Sequence, residues 1–246
     1  EHARVQAKLY PETGAKSLPI AGGYAVYCGR KSPLSQVYGW GLSGTVLTSD
    51  LDTMGSFYRK RGLRGRVRAC PFAEASLRHL LGERGYIVQD DMNVYARHVD
   101  TLEDVPPSFP GLSIQIATQD DARFWFERSG AGGDWAEPDG LAFMTIRCTL
   151  KPNTWLFLAL VEGQPVGGGA LEIHEGVAAL MAAGTLPEFR NQGIHTALLQ
   201  ARLTAAVEAG CDLAMVQTRP GAASQGNILR AGFQLMYSVN TLVSPK

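Results

Sequence analysis

Glu188-Phe189-Arg190-Asn191-Gln192-Gly193-Ile194-His195 joins an apolar, Ala-rich run, Val177 to Leu186, to Thr196 to Ala209, whose apolar residues recur at helical intervals. A buried strand therefore hands over to a helix through a loop that carries Gly193. The first N–H groups of a helix have no internal partner and its dipole adds partial positive charge, so the junction favours an anion. Pyrophosphate suits it, and Gly193 has no Cβ to obstruct its approach.

Working outward, the same half of the chain reads as one mixed sheet flanked by helices. Leu112 to Ala117 is strand-like, Asp120 to Arg128 and Gly140 to Thr149 are helix-like, and Thr154 to Val161 with Pro165 to His174 form a hairpin through Glu162-Gly163-Gln164. After the opening strand and helix come a strand at Asp212 to Gln217, a helix at Ala222 to Arg230 and a last strand at Phe233 to Val243. Gly167-Gly168-Gly169 lies inside a strand pattern with no Gly-Lys-Ser/Thr after it, so it reads as a bulge or a close backbone approach. Trp125, Phe126, Trp135, Phe143, Trp155 and Phe157 read as core.

Val105-Pro106-Pro107-Ser108-Phe109-Pro110-Gly111, with three prolines in seven residues, suits neither a helix nor a central strand. It divides residues 1–105 from 112–246, with 106–111 as linker. Upstream, Leu51 to Lys60 (helix), Gly65 to Cys70 (strand), Phe72 to Arg84 (helix) and Tyr86 to His98 (strand) repeat the closing part of the downstream unit. Arg61-Gly62 corresponds to Ala209-Gly210, Cys70-Pro71 to Arg219-Pro220, and Arg84-Gly85-Tyr86 to Ala231-Gly232-Phe233. The front copy has no counterpart of Arg190 to His195; Thr48-Ser49-Asp50 precedes its helix, with a negative charge where a pyrophosphate would lie.

Composition bounds the function classes. The 246 residues hold 45% apolar residues, enough for a sizeable core, and 23 basic residues against 23 acidic ones. No overall field favours nucleic acid or an anionic membrane, so neither is expected as a partner. Arg59, Lys60, Arg61, Arg64, Arg66 and Arg68 crowd into ten positions and read as a solvated helix end and strand face, with a functional basic patch as the alternative. Cys28, Cys70, Cys148 and Cys211 are far apart and lack zinc-ligand spacing, so no metal is expected. Free thiols, no apolar run of membrane-spanning length and no leader pattern point to a cytoplasmic protein. The first residue is Glu rather than Met, as in a trimmed chain.

Arg190-Asn191-Gln192-Gly193-Ile194-His195, between the right strand and helix, with Pro187 before it and Gly232-Phe233 after it, resembles the signature of the GCN5-related N-acetyltransferases (GNAT). That signature is an Arg or Gln, two free positions, a Gly, one free position and a small residue. The resemblance runs from about Leu112 to Val243. It implies an α/β (α+β) fold with a mixed, mostly antiparallel sheet, a degenerate partial copy at the N-terminus as in tandem members, and acetyl-CoA as cosubstrate. Carried onto this chain, it places the pantetheine arm along the backbone of Ala183, Gly184 and Thr185. The pyrophosphate would lie on the amides of Asn191, Gln192, Gly193, Ile194, His195 and Thr196, beside Arg190.

Three departures from the pattern bear on mechanism. His195 stands where the family has a small residue, so its ring must turn away from the phosphates or stack nearby. Ile228 stands where many members place a Tyr that protonates the departing thiolate, leaving Tyr237 on the last strand as the substitute. Gly221 stands where some members have an Asn, leaving Ser224 and Asn227 as cofactor contacts. Glu172, on the preceding strand, is the candidate general base, whereas His174 and Glu175 at the turn are too distant. Positioning and a backbone N–H for the oxyanion would supply much of the rate. The expected activity is acyl-CoA-dependent N-acylation of a small-molecule, peptide or protein amine by a monomer or homodimer. The alternative is an acyl-CoA-binding pseudoenzyme or interaction module.

Overall fold

The structure, a computed structural model, describes residues 2–99, 110–118, 121 and 153–246. The helices expected at Asp120 to Arg128 and Gly140 to Thr149, most of the proline-rich segment, and Trp125, Phe126, Trp135, Phe143 and Cys148 lie outside the described residues. The described residues fall into two compact units.

The first unit holds residues 2–93 and 237–246. Its helices are α1 (His2–Leu9), α2 (Thr48–Arg59) and α3 (Ala75–Glu83). Its strands are β1 (Lys16–Ile20), β2 (Gly23–Tyr27), β3 (Val37–Tyr38), β4 (Arg66–Ala69), the first part of β5 (Ile87–His98) and the last part of β11 (Gln234–Val243). They lie in the order β1-β2-β3-β4-β11-β5, with β3 and β4 parallel and β4 and β11 antiparallel. Trp40, Met54, Tyr58, Leu77 and Leu81 form the core. Its polar tips are satisfied: Trp40 Nε1 donates to Ile20 O at 2.9 Å, and Tyr58 Oη donates to Val26 O at 2.9 Å. Helix α2 begins three residues earlier than its apolar period indicates. Asp50, in its first turn, reaches back to accept the Leu47 N–H at 2.8 Å, so a carboxylate of the chain itself fills the helix start.

The second unit holds residues 94–99, 110–118, 121 and 153–236. Val94 to His98 of β5 join β6 (Leu112–Ile116), β7 (Thr154–Val161), β8 (Gln164–His174), β9 (Val177–Thr185) and β10 (Leu213–Thr218), in the order β5-β10-β9-β8-β7-β6. Strands β6 to β9 form an antiparallel meander and β9 runs parallel to β10. The β7–β8 hairpin turns on Glu162 and Gly163, both at positive φ, the geometry that matches strand twist. Helices α4 (Ile194–Glu208) and α5 (Ala223–Arg230) complete the unit, and α4 sends Leu198, Leu199, Leu203 and Ala206 into its core.

The matched caps of the two halves share one geometry. Gly62 and Gly210 have φ of 67° and 73°, and Gly85 and Gly232 have φ of 68° and 80°. After each glycine the next amide reaches back five residues: Leu63 to Tyr58, Cys211 to Ala206, Tyr86 to Leu81 and Phe233 to Ile228.

Candidate functional site

The site grows from the parting of two parallel strands in the second unit. Val177 to Leu180 of β9 pair with Leu213 to Val216 of β10, and among the described residues the ladder stops there. Met181 to Thr185 therefore present a free strand edge on the β10 side. On the other side β9 is bulged: Gly168 faces Gly184 and Ala170 faces Met181, so Gly169 alone stands against Ala182 and Ala183. Ala182 takes a positive φ of 50° to accommodate this. The glycine run is thus both a bulge and a close approach, because a Cβ at Gly169 would lie 2.9 Å from the Arg202 guanidinium carbon.

Arg202 anchors that bulge. Its side chain, 2% exposed on α4, donates to Leu198 O at 2.9 Å and to Ala170 O and Met181 O at 3.4 Å, one acceptor on each strand of the bulge. Burial lowers its pKa to about 10, so it stays charged at neutral pH, and among the described residues no carboxylate pairs with it. The sequence held a usable signal for this residue: position 202 falls four after Leu198 and next to Leu203, on the apolar stripe of α4.

Beyond β9 the chain makes a short 3-10 turn, Pro187–Phe189, and enters the loop. Arg190 Nε donates back to Thr185 O at 3.3 Å. Asn191 and Gly193 both take the left-handed conformation, with φ of 61° and 78°, and Gly193 is the residue before α4. That pair of reversals leaves the amides of Asn191 to Thr196 without backbone partners among the described residues. Thr185 Oγ1, buried at the end of the free edge, likewise has none. Ala183, Gly184 and Thr185 thus lie on the free edge, and 190–196 follow it after the 3-10 turn.

His195 resolves its own oddity. Arg230 donates to Asn227 Oδ1, so the Asn227 amide nitrogen faces His195 and donates to Nδ1 at 3.2 Å. The ring is then a neutral acceptor at Nδ1, in keeping with a pKa lowered to about 4 by burial and by the Arg202 charge. Asn227 thus holds the His195 ring towards α5, while Ser224 and Thr218 share a hydrogen bond of 2.8 Å between α5 and the end of β10. Both candidate cofactor contacts on α5 are engaged within the protein.

The catalytic candidates fare differently. Glu172 sits half-buried on β8 opposite Ala179, two ladder positions from the bulge. Tyr237 belongs to the first unit, where its ring packs edge-on against Phe72 at 5.1 Å and burial raises its pKa. Ile228 is 2% exposed in the apolar core of the second unit.

Residues 117–233 match the sequence profile of the Acetyltransferase (GNAT) family. Among solved structures, a GCN5-related N-acetyltransferase from Kribbella flavida is similar over 100% of this chain and 96% of its own, with TM-score 0.71 and 16% identity. A tandem GNAT protein from the clavulanic acid biosynthesis pathway matches over 80% of this chain and 68% of its own, with TM-score 0.63 and 14% identity. A GCN5-related N-acetyltransferase from Sphaerobacter thermophilus matches over 74% and 61%, with TM-score 0.58 and 16% identity. No curated protein matches the chain in sequence.

Proposed function

We propose that the chain, whose residues 117–233 match the GNAT acetyltransferase family, is an N-acyltransferase that moves acetyl from acetyl-CoA to a primary amine. The observation that carries this reading is the free edge Met181–Thr185 followed, after one 3-10 turn, by the amides of 191–196, which have no backbone partner among the described residues. The unpartnered Thr185 hydroxyl fits the same guest, since it lies where a polar arm would run.

Acetyl-CoA supplies the thioester that a neutral amine attacks as the CoA thiolate departs. The residues of the chain do the rest. Met181 to Thr185 add the pantetheine amides as an extra strand, and Ala183, Gly184 and Thr185 provide the pairing groups. The amides of 191–196 and the α4 dipole hold the pyrophosphate, with Arg190 beside it. A backbone N–H at the bulge would be placed to stabilise negative charge on the acetyl oxygen. Glu172 takes the amine proton, directly or through water. In this reading residues 1–105 are the degenerate copy, with Asp50 closing the helix start that the second copy leaves open.

Ile228 buried in the core and Tyr237 packed on Phe72 favour a second reading, a cofactor-binding protein without turnover. Amine-dependent release of free CoA thiol separates the two. An amine panel that includes aminoglycosides and peptides should yield thiol with the wild-type chain and none with Gly193→Asp, which sets a carboxylate against the pyrophosphate. Tight acetyl-CoA binding with no thiol release from any amine would select the second reading.

A further inference from the structure

The crowded basic residues of 59–68 separate in three dimensions, and two of them line a cavity of about 330 Å³ in the first unit. Arg61 is absorbed by packing: its guanidinium lies 3.9 Å from the Phe57 ring centre and donates to Phe57 O at 2.6 Å. Arg64, just before β4, and Arg66, its first residue, instead reach the cavity, where Arg30 joins them from the turn after β2. Ser32 and Ser35, each 3% exposed, lie beneath, with Gln89 on β5 and the apolar Leu63 and Val243 as walls.

Among the described residues the lining holds three guanidinium groups, two hydroxyls and an amide, and no carboxylate. Arg30 donates to Gly62 O at 3.4 Å, and Gly62 leaves it room, since a Cβ there would lie 3.1 Å from its terminal nitrogen. Arg64 donates to Ser244 O. Both are thus steadied by uncharged carbonyls. Arg66 Nε is buried with no partner among the described residues. Three like charges converging on one concavity, one with a donor left over, repel one another until an anion enters. A planar carboxylate is satisfied by a single guanidinium fork, whereas guanidinium donors arriving from two chain segments, with the Gln89 amide on a third, suit a tetrahedral oxyanion. The segment between α2 and β4, with Gly62, Leu63 and Arg64, and the first residue of β4 line the cavity, so it is not the front-copy counterpart of the α4 loop, which would lie at the start of α2.

We propose that this cavity binds a small molecule bearing a phosphate dianion, at Arg30, Arg64 and Arg66 with Ser32 beneath. The site is independent of the acetyl-CoA cleft. The test is calorimetric titration of the full chain with inorganic phosphate and with pyrophosphate, in wild type, Gly193→Asp and Arg30→Gln/Arg66→Gln. Binding with Kd below about 1 mM is expected in wild type, retained in Gly193→Asp and lost in the double variant. The double variant should melt no lower than wild type without phosphate, because it relieves repulsion. Should it fail to fold, the exposed Arg30→Gln alone carries the test with an expected affinity loss of about tenfold. Absence of binding in wild type, or binding unchanged by the arginine substitutions, overturns the proposal. So does equal affinity for succinate, which would make the site one for carboxylates, or tighter binding of a short oligonucleotide, which would make it a nucleic-acid contact.

Discussion

His195 shows how one residue can break a family pattern and leave the loop intact. Its amide stays in the cradle while its ring is taken up by Asn227, which Arg230 orients. The cost appears at low pH. The pKa of His195 falls from 6.5 to about 4 on folding, so between those values the unfolded chain binds more protons than the folded one. Its contribution is present above pH 6.5 and is lost as pH falls towards 4, by up to about 3 kcal/mol. The urea midpoint of wild type should therefore drop across that window more steeply than that of His195→Gln. Parallel profiles would mean the ring is not neutral in the fold. Nothing in the local sequence announced this triad, because Asn227 lies 32 positions away and reads alone as a surface or cofactor residue.

At the scale of elements, the bulge of β8 and β9 falls in the same stretch of β9 that β10 leaves unpaired. Arg202 bridges its carbonyls from beneath. Arg202→Met removes those donors together with the burial of a charge, so stability should change by only about 1 kcal/mol, while acetyl-CoA affinity falls about tenfold as Met181 and Ala182 relax. Arg202→Ala adds a cavity and should cost about 3 kcal/mol by urea unfolding. Gly169→Ala, crowding the guanidinium at 2.9 Å, should weaken acetyl-CoA in the same sense. An Arg202→Met chain that binds acetyl-CoA like wild type would remove the arginine from this role. Strand β9, the loop and α4 were legible because apolar runs, helical spacing and a glycine are local signals. The first fifty residues were not: β1 carries Pro19, β2 opens on Gly23 and β3 spans two residues, too little period to read.

Across the whole molecule, the run of helix, strand, helix and strand in each half was readable from its glycine caps, but the partners of the last strands were not. Strand pairing is a long-range choice that no local pattern encodes. Tyr95 and Val99, upstream of the proline-rich segment, lie 1% exposed in the core of the second unit, and the Val99 amide donates to Asp212 O at 3.2 Å. A chain beginning at Leu112 should therefore lack a cooperative urea transition, whereas full-length protein should show one; a cooperative transition in the short chain would contradict this. The most direct measurement of the central claim is amide hydrogen exchange with and without saturating acetyl-CoA. The account predicts added protection in 181–186 and 190–197, absent in Gly193→Asp. Protection elsewhere with these two segments unchanged would contradict it.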